Sequence, residues 1–178
     1  MTPDDLRSLI RTVPDFPKPG IQFRDITTLI ADGEGLAATI DHLARHAAAQ
    51  GAQAIAGMEA RGFIFGAAVA AQLRLPFIPL RKPGKLPVET ISVEYALEYA
   101  ADRLELDPLC VKTGQRVVIV DDLIATGGTA EAAISLLRRA GARVEDAIFV
   151  IDLPDLGGTA RLHAANVAVT ALMAFSGD

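Results

Sequence analysis

Hydrophobic and polar positions follow two distinct rhythms along this chain. Val117 to Val120 form a continuous apolar run rich in β-branched residues. That is the pattern of a strand buried on both faces, as in a parallel sheet. After Thr129 the spacing becomes helical: Ala130, Ala133, Ile134 and Leu137 share one face, while Glu131, Ser135, Arg138 and Arg139 face away.

The same switch recurs elsewhere. Thr2-Pro3-Asp4-Asp5 reads as a helix start, with Thr2 as N-cap and Pro3 at the first position. Leu6, Leu9, Ile10 and Val13 then predict one helical face that stops before Pro14. Prolines 14, 17 and 19 and Gly20 forbid regular structure until about Ile21. Leu36, Ile40, Leu43 and Ala47 predict a helix over about 35–50, stopped by Gly51. Ala54-Ile55-Ala56 reads as a strand, followed by a helix over about 64–73 and a strand at Pro76 to Leu80. Strands over 144–151 and 167–172 flank a short helix near 156–163. Strands alternating with helices predict an α/β protein with a central, mostly parallel sheet. Residues 88–106 differ: Thr90, Ser92 and Glu94 alternate with Ile91, Val93 and Tyr95, and Leu104-Glu105-Leu106 follows. Alternation of period two predicts an antiparallel flap.

A chain of 178 residues with 51% hydrophobic content fits one globular domain, residues 1–178. No apolar run approaches a membrane span, and the amphipathic, acidic opening TPDDLRSLIR is unlike a signal peptide. The expectation is a cytoplasmic protein with no membrane partner. Its formal charge of −5 argues against nucleic acid as a partner. Cys110 is the single cysteine, which excludes an intrachain disulfide, fits a reducing compartment and by default predicts a buried apolar role. An anionic substrate would have to be met by local basic clusters.

Two stretches supply anion-binding chemistry at strand ends. In RVVIVDDLIATGGTA, Asp121 and Asp122 precede Ala125, Thr126, Gly127, Gly128 and Thr129 at the start of a helix. Glycines allow a tight turn that presents backbone N–H groups to an anion, and the two threonines add hydroxyl donors. The two carboxylates between strand and helix can accept hydrogen bonds from sugar hydroxyls. No lysine follows the glycines and GxGxxG is absent, so this is neither a Walker loop nor a dinucleotide fingerprint. Glu59-Ala60-Arg61-Gly62 repeats the strand-to-helix arrangement with a guanidinium beside it. Arg81, Lys82 and Lys85 then concentrate positive charge in RKPGKLP. His42 and His46 have the spacing of a metal pair but no third ligand, and read as solvent-side residues. His163 has no motif partner.

The DDLIATGGT stretch closely resembles the phosphoribosyl-pyrophosphate (PRPP) motif of type I phosphoribosyltransferases. The segment PDFPKPGIQFRDIT is very similar to the N-terminal segment of the adenine phosphoribosyltransferases, and EARGF and RKPGKLP are similar to that family too. The resemblance implies a type I phosphoribosyltransferase fold with an N-terminal hood at about 1–35 and a flexible flap at about 82–107. It implies a purine-salvage glycosyltransferase that moves the 5-phosphoribosyl group from PRPP to adenine, giving AMP and pyrophosphate. Asp121 and Asp122 would then address the ribose hydroxyls and Ala125 to Thr129 the 5′-phosphate. Glu59, Ala60, Arg61, Arg81, Lys82 and Lys85 would line the pyrophosphate pocket, with a cis peptide expected at Glu59–Ala60. Gln22, Phe23, Arg24 and Ile124 would contact adenine, with backbone groups beside the Phe23-Arg24 pair reading the edge of the base. In the YxLEY segment Glu98 would assist proton transfer and Tyr99 would cover the ribose, so Glu98, Arg61 and Lys85 are the implied catalytic residues. Ala100 stands where the family usually has glycine. Mg²⁺ would be held through PRPP oxygens and water with no direct protein ligand, and a homodimer is implied, with Phe63-Ile64-Phe65 as a candidate contact.

Two alternatives stand beside this reading. A PRPP-binding regulator would usually add a DNA-binding segment, whereas the first helix here is acidic. Relatives acting on hypoxanthine or xanthine typically read the base with C-terminal residues, often a lysine. After Val144 this chain has no lysine, and Arg161 is its one cation there.

Overall fold

Continuous apolar runs become the strands of one parallel sheet, and the amphipathic segments between them cover its two faces. The computed structural model describes residues 1–96 and 101–177. In chain order the elements are α1 (Pro3–Ser8), β1 (Arg11–Pro14), β2 (Gln22–Asp25), α2 (Thr27–Ala31), α3 (Gly33–Ala49), β3 (Ala54–Met58) and α4 (Arg61–Leu73). There follow β4 (Phe77–Leu80), β5 (Ile91–Ala96), β6 (Ala101–Leu106), β7 (Arg116–Ile124), α5 (Gly128–Arg139), β8 (Arg143–Asp152), α6 (Gly158–Ala164) and β9 (Ala168–Ala174). The five-stranded sheet has the order β4-β3-β7-β8-β9, and every pairing in it is parallel.

β7 shows why such a strand must be apolar throughout. Val117 and Ile119 pack on one side with Ala133, Ile134 and Leu137 of α5. Val118 and Val120 pack on the other with Leu43 of α3 and with Phe65 and Val69 of α4. All four strand residues are fully buried. The carboxyl ends of β3 and β7 lie at the same edge, which is where ligands meet open parallel sheets.

Two antiparallel pairs flank this sheet. β1 and β2 form the hood hairpin, with Val13 opposite Phe23. Arg24 holds it down: its guanidinium donates to Thr12 Oγ1 (2.7 Å) and to the Ser176 carbonyl (3.1 Å). The ring of Phe175 lies under both Arg7 and Arg24, at 4.5 and 4.8 Å. β5 and β6 form the expected flap with Tyr95 opposite Asp102. Its alternation places Ile91, Val93 and Tyr95 against the core on the α5 side.

Several expectations are corrected. The first helix ends at Ser8, and Val13 belongs to a strand, because residues 11–14 pair with 22–25 instead of extending the helix. Asp121 and Asp122 lie inside β7, not beyond it, because pairing with β8 continues to Ile124 opposite Asp152. Cys110 is exposed, in a 3₁₀ turn (Pro108–Cys110) whose start is capped by Asp107 accepting from the Leu109 N–H at 2.9 Å. Phe65 is fully buried and cannot reach another chain, while Ile64 beside it is 40% exposed. Among the described residues no helix is long and apolar enough to cross a membrane.

Candidate active site

Helix α5 begins directly after β7, and the turn between them depends on glycine. Gly127 sits at the helix N-cap with φ +77°, a left-handed conformation that disfavours side chains. The first bond into the helix runs from the Glu131 N–H to the Gly127 carbonyl (2.9 Å). The N–H groups ahead of it are the orphan donors of a helix start, the natural seat of a phosphate. From the other side, the Gly158 N–H donates to the Ala125 carbonyl (2.9 Å), so the start of α6 backs the loop.

On the strand before that loop, the Asp122 N–H donates to Asp121 Oδ1 at 2.9 Å. Burial pushes both carboxyls above the usual aspartate range. The neighbouring Asp122 charge raises Asp121 further, whereas the Arg61 charge partly opposes the rise at Asp122. Arg61 Nε lies 3.0 Å from Asp122 Oδ2. That is a charge contact without hydrogen-bond alignment, and Oδ2 is buried with no hydrogen-bond partner.

β3 ends beside this pair. The Glu59–Ala60 peptide is cis, and α4 starts at Arg61, earlier than expected. Arg81 Nε donates to Glu59 Oε2 (2.7 Å), so Arg81 fixes Glu59 instead of pointing free. The Lys82 ammonium donates to Tyr95 Oη at 2.9 Å and pairs with Asp102 Oδ2. Partial burial alone would lower the Lys82 pKa, but the bonds to Asp102 and Tyr95 outweigh it and leave it raised. The Lys82 hydrogen bond in turn holds Asp102 below the usual range.

These residues enclose a cavity of about 300 Å³ lined by Glu59, Ala60, Arg61, Lys82, Asp121, Asp122, Ile124 and residues 125–129, among others. Most of the residues expected at the PRPP end are therefore brought together. Arg81 does not line the cavity, and Lys85 is exposed on the loop beyond it. A second, more apolar pocket of about 470 Å³ lies under the hood, lined by Val13, Phe16, Phe23, Asp25, Ile26, Thr27 and Arg61. Phe16 and Phe23 meet edge to face there, with ring centroids 5.1 Å apart. Of the residues expected at adenine, Phe23 lines this pocket and Ile124 the first. Gln22 lines neither, and the Arg24 side chain is committed to Thr12, Ser176 and Phe175. Glu98, Tyr99 and Ala100 lie outside the described residues. Sequence reasoning missed Tyr95 and Asp102 as cavity residues; the signal was their register across the flap, since only a chosen hairpin pairing makes them neighbours.

A parallel sheet with a glycine-bearing turn into a helix after an acidic strand end, and a second strand-to-helix turn with a cis peptide and an arginine on the adjacent strand, defines an enzyme of the type I phosphoribosyltransferase fold. The family model described as phosphoribosyl transferase domain matches residues 24–163. The chain is 71% identical to the adenine phosphoribosyltransferase of Novosphingobium aromaticivorans, over 99% of each chain. The crystal structure of adenine phosphoribosyltransferase from Thermoanaerobacter pseudethanolicus is similar with a TM-score of 0.92 and 45% identity, covering 98% of this chain and 100% of that one. The Saccharomyces cerevisiae enzyme, complexed with an imino-altritol bisphosphate and adenine, matches with a TM-score of 0.91 and 34% identity over 96% and 98%. The chain belongs to the adenine phosphoribosyltransferases.

Proposed function

We propose that the two cavities joined at Arg61 carry out purine salvage, transferring the 5-phosphoribosyl group of PRPP to N9 of adenine and giving AMP and pyrophosphate. The observation that carries this is the position of Arg61, which walls both the anion-lined cavity and the apolar pocket under the hood. A base seated between Phe23 and Ile124 would meet the ribose C1′ at that boundary.

In this reading the N–H groups of Ala125 to Thr129 take the 5′-phosphate, and Asp121 and Asp122 accept from the ribose hydroxyls. As the C1′–O bond breaks, positive charge grows on the ribose ring beside the two carboxylates. Negative charge grows on pyrophosphate beside Arg61, Lys82 and the nearby Arg81 and Lys85. N9 forms the new bond to C1′ and loses its proton, with Glu98 assisting. Tyr99 shields the ribose. Arg61 must leave Asp122 to reach pyrophosphate, and the half-exposed guanidinium is free to do so.

The oxygen donors fit Mg²⁺ held chiefly by PRPP and water. Among the described residues no group of three or more potential ligands could hold a metal by itself, and Asp122 Oδ2, paired in charge with Arg61 but without a hydrogen bond, can accept from a metal-bound water. The ion would neutralise charge on the leaving pyrophosphate. We also propose that the chain acts as one domain and as a homodimer, with the exposed Ile64 at the start of α4 in the contact. A cytoplasmic location follows from the substrate, a multiply charged phosphate ester that does not cross membranes unaided.

A panel of purines, each with PRPP and Mg²⁺, tests the reading through pyrophosphate release. Adenine is expected to turn over and hypoxanthine, guanine and xanthine to be poor substrates; equal turnover of an oxopurine would overturn it.

A further inference from the structure

The cation expected to receive pyrophosphate already has an anion of its own. The Lys82 ammonium is paired with Asp102 Oδ2 and donates to Tyr95 Oη at 2.9 Å, and the Tyr95 hydroxyl donates to the same Oδ2 at 3.0 Å. Tyr95 and Asp102 face each other across β5 and β6. Lys82 comes from the loop after β4, whose start is fixed by reciprocal backbone bonds between Arg81 and Glu105 at 2.9 and 2.7 Å. All three residues line the anion cavity.

Asp102 therefore places negative charge where more negative charge must arrive. Pyrophosphate entering the cavity competes with Asp102 for one ammonium, and the two anions repel each other. The pair is suited to exchange: the side chains are 36% and 24% exposed, so neither is locked away from water and their mutual attraction is modest. The flexible lysine stem allows its ammonium to change partner without moving the backbone.

We propose that Asp102 is a positioning residue acting through Lys82: it holds the ammonium in place while the cavity is empty and opposes retention of pyrophosphate, favouring product release. This rests on the reading that Lys82 faces the pyrophosphate end.

Calorimetric titration of pyrophosphate with Mg²⁺ into the wild-type enzyme, Asp102→Asn, Lys82→Ala and the double variant tests both. Asp102→Asn is expected to bind pyrophosphate about two- to fivefold more tightly and release it more slowly, the scale of one part-exposed charge partner. Loss of a merely structural contact would weaken binding instead. Lys82→Ala is expected to bind more weakly, and adding Asp102→Asn to it should give no gain. Unchanged or weaker binding by Asp102→Asn overturns the inference, as does an undiminished gain in the double variant, since Asp102 would then act directly. Normal binding by Lys82→Ala overturns instead the placement of Lys82 at the pyrophosphate end.

Discussion

Gly62 stands flush against Asp121: a Cβ at position 62 would lie 2.6 Å from Asp121 Oδ1 and 3.2 Å from its Cγ. The start of α4 thereby meets the carboxylate on β7 with no room for a side chain between them. The obstructing atom is the end of a side chain, which can rotate away, so Gly62→Ala should leave the fold intact. In a helix alanine is even the better residue. What moves is the carboxylate. PRPP affinity is expected to fall by about tenfold, the loss of roughly one charged hydrogen bond, with little change in melting temperature. Calorimetry with PRPP beside a thermal melt checks it, and normal affinity would show that Asp121 does not hold the ribose.

A second prediction follows from the raised pKa of Asp121. With a folded value above 3.8, the native state binds more protons than the unfolded chain between about pH 4 and that folded pKa. Stability therefore falls as pH rises through this window, and ionisation is a standing cost above it. Asp121→Asn should raise the melting temperature of the ligand-free enzyme at neutral pH by about 2–4 °C, the equivalent of about 1 kcal/mol in a chain of this size. The gain should shrink towards pH 4, and PRPP affinity should drop. A gain independent of pH would point to some other cause.

Gly158 offers the contrasting case. A Cβ there would come within 2.9 Å of the Gly127 nitrogen and 2.8 Å of Ile124 Cγ1, and would run into the Ala125 carbonyl. Backbone atoms cannot rotate aside. Gly158→Ala should destabilise by about 1–3 kcal/mol, the usual cost of overpacking, and should also weaken PRPP binding by displacing the phosphate loop. Urea unfolding and PRPP titration on the same sample measure both. Weakened binding without destabilisation would contradict the packing argument.

Glu98→Gln should slow the chemical step by about 10²–10⁴-fold, the range of general acid–base assistance, with PRPP affinity nearly unchanged. Single-turnover measurement is required, because slow product release could hide the loss in steady-state turnover. A wild-type single-turnover rate would leave the N9 proton to pass through water.

What was legible in the sequence divides along physical lines. Buried parallel strands announce themselves because both faces must be apolar, as Val117 to Val120 do. The two strand-to-helix turns that line the cavity were legible because glycine, hydroxyl and carboxylate residues cluster locally at strand ends. Features set by distant pairing were not. Val13 keeps helical spacing with Leu6 and Leu9, yet its partner is Phe23 across a hairpin. Asp121 and Asp122 look like loop residues by type, but a strand ends where its neighbour stops pairing, and β8 continues to Asp152. Asp102 is an ordinary flap residue until the register sets it opposite Tyr95 and within reach of Lys82. Charge counting likewise treated Arg81 and Lys82 as free cations, whereas each has a carboxylate partner.

The misplaced cysteine has a practical consequence. Cys110 is the chain's single thiol, it is exposed, and it closes the 3₁₀ turn that follows β6. A maleimide dye would attach at one defined point near the root of the flap, with no cysteine to add or remove. Partial burial of the sulfur and the nearby Asp107 carboxylate push the thiol pKa up, so coupling should be faster at mildly alkaline pH than at neutral pH. An emission change on adding pyrophosphate would then report in real time whether the surroundings of residue 110, at the root of the flap, respond to the ligand, with no residue of the native sequence replaced.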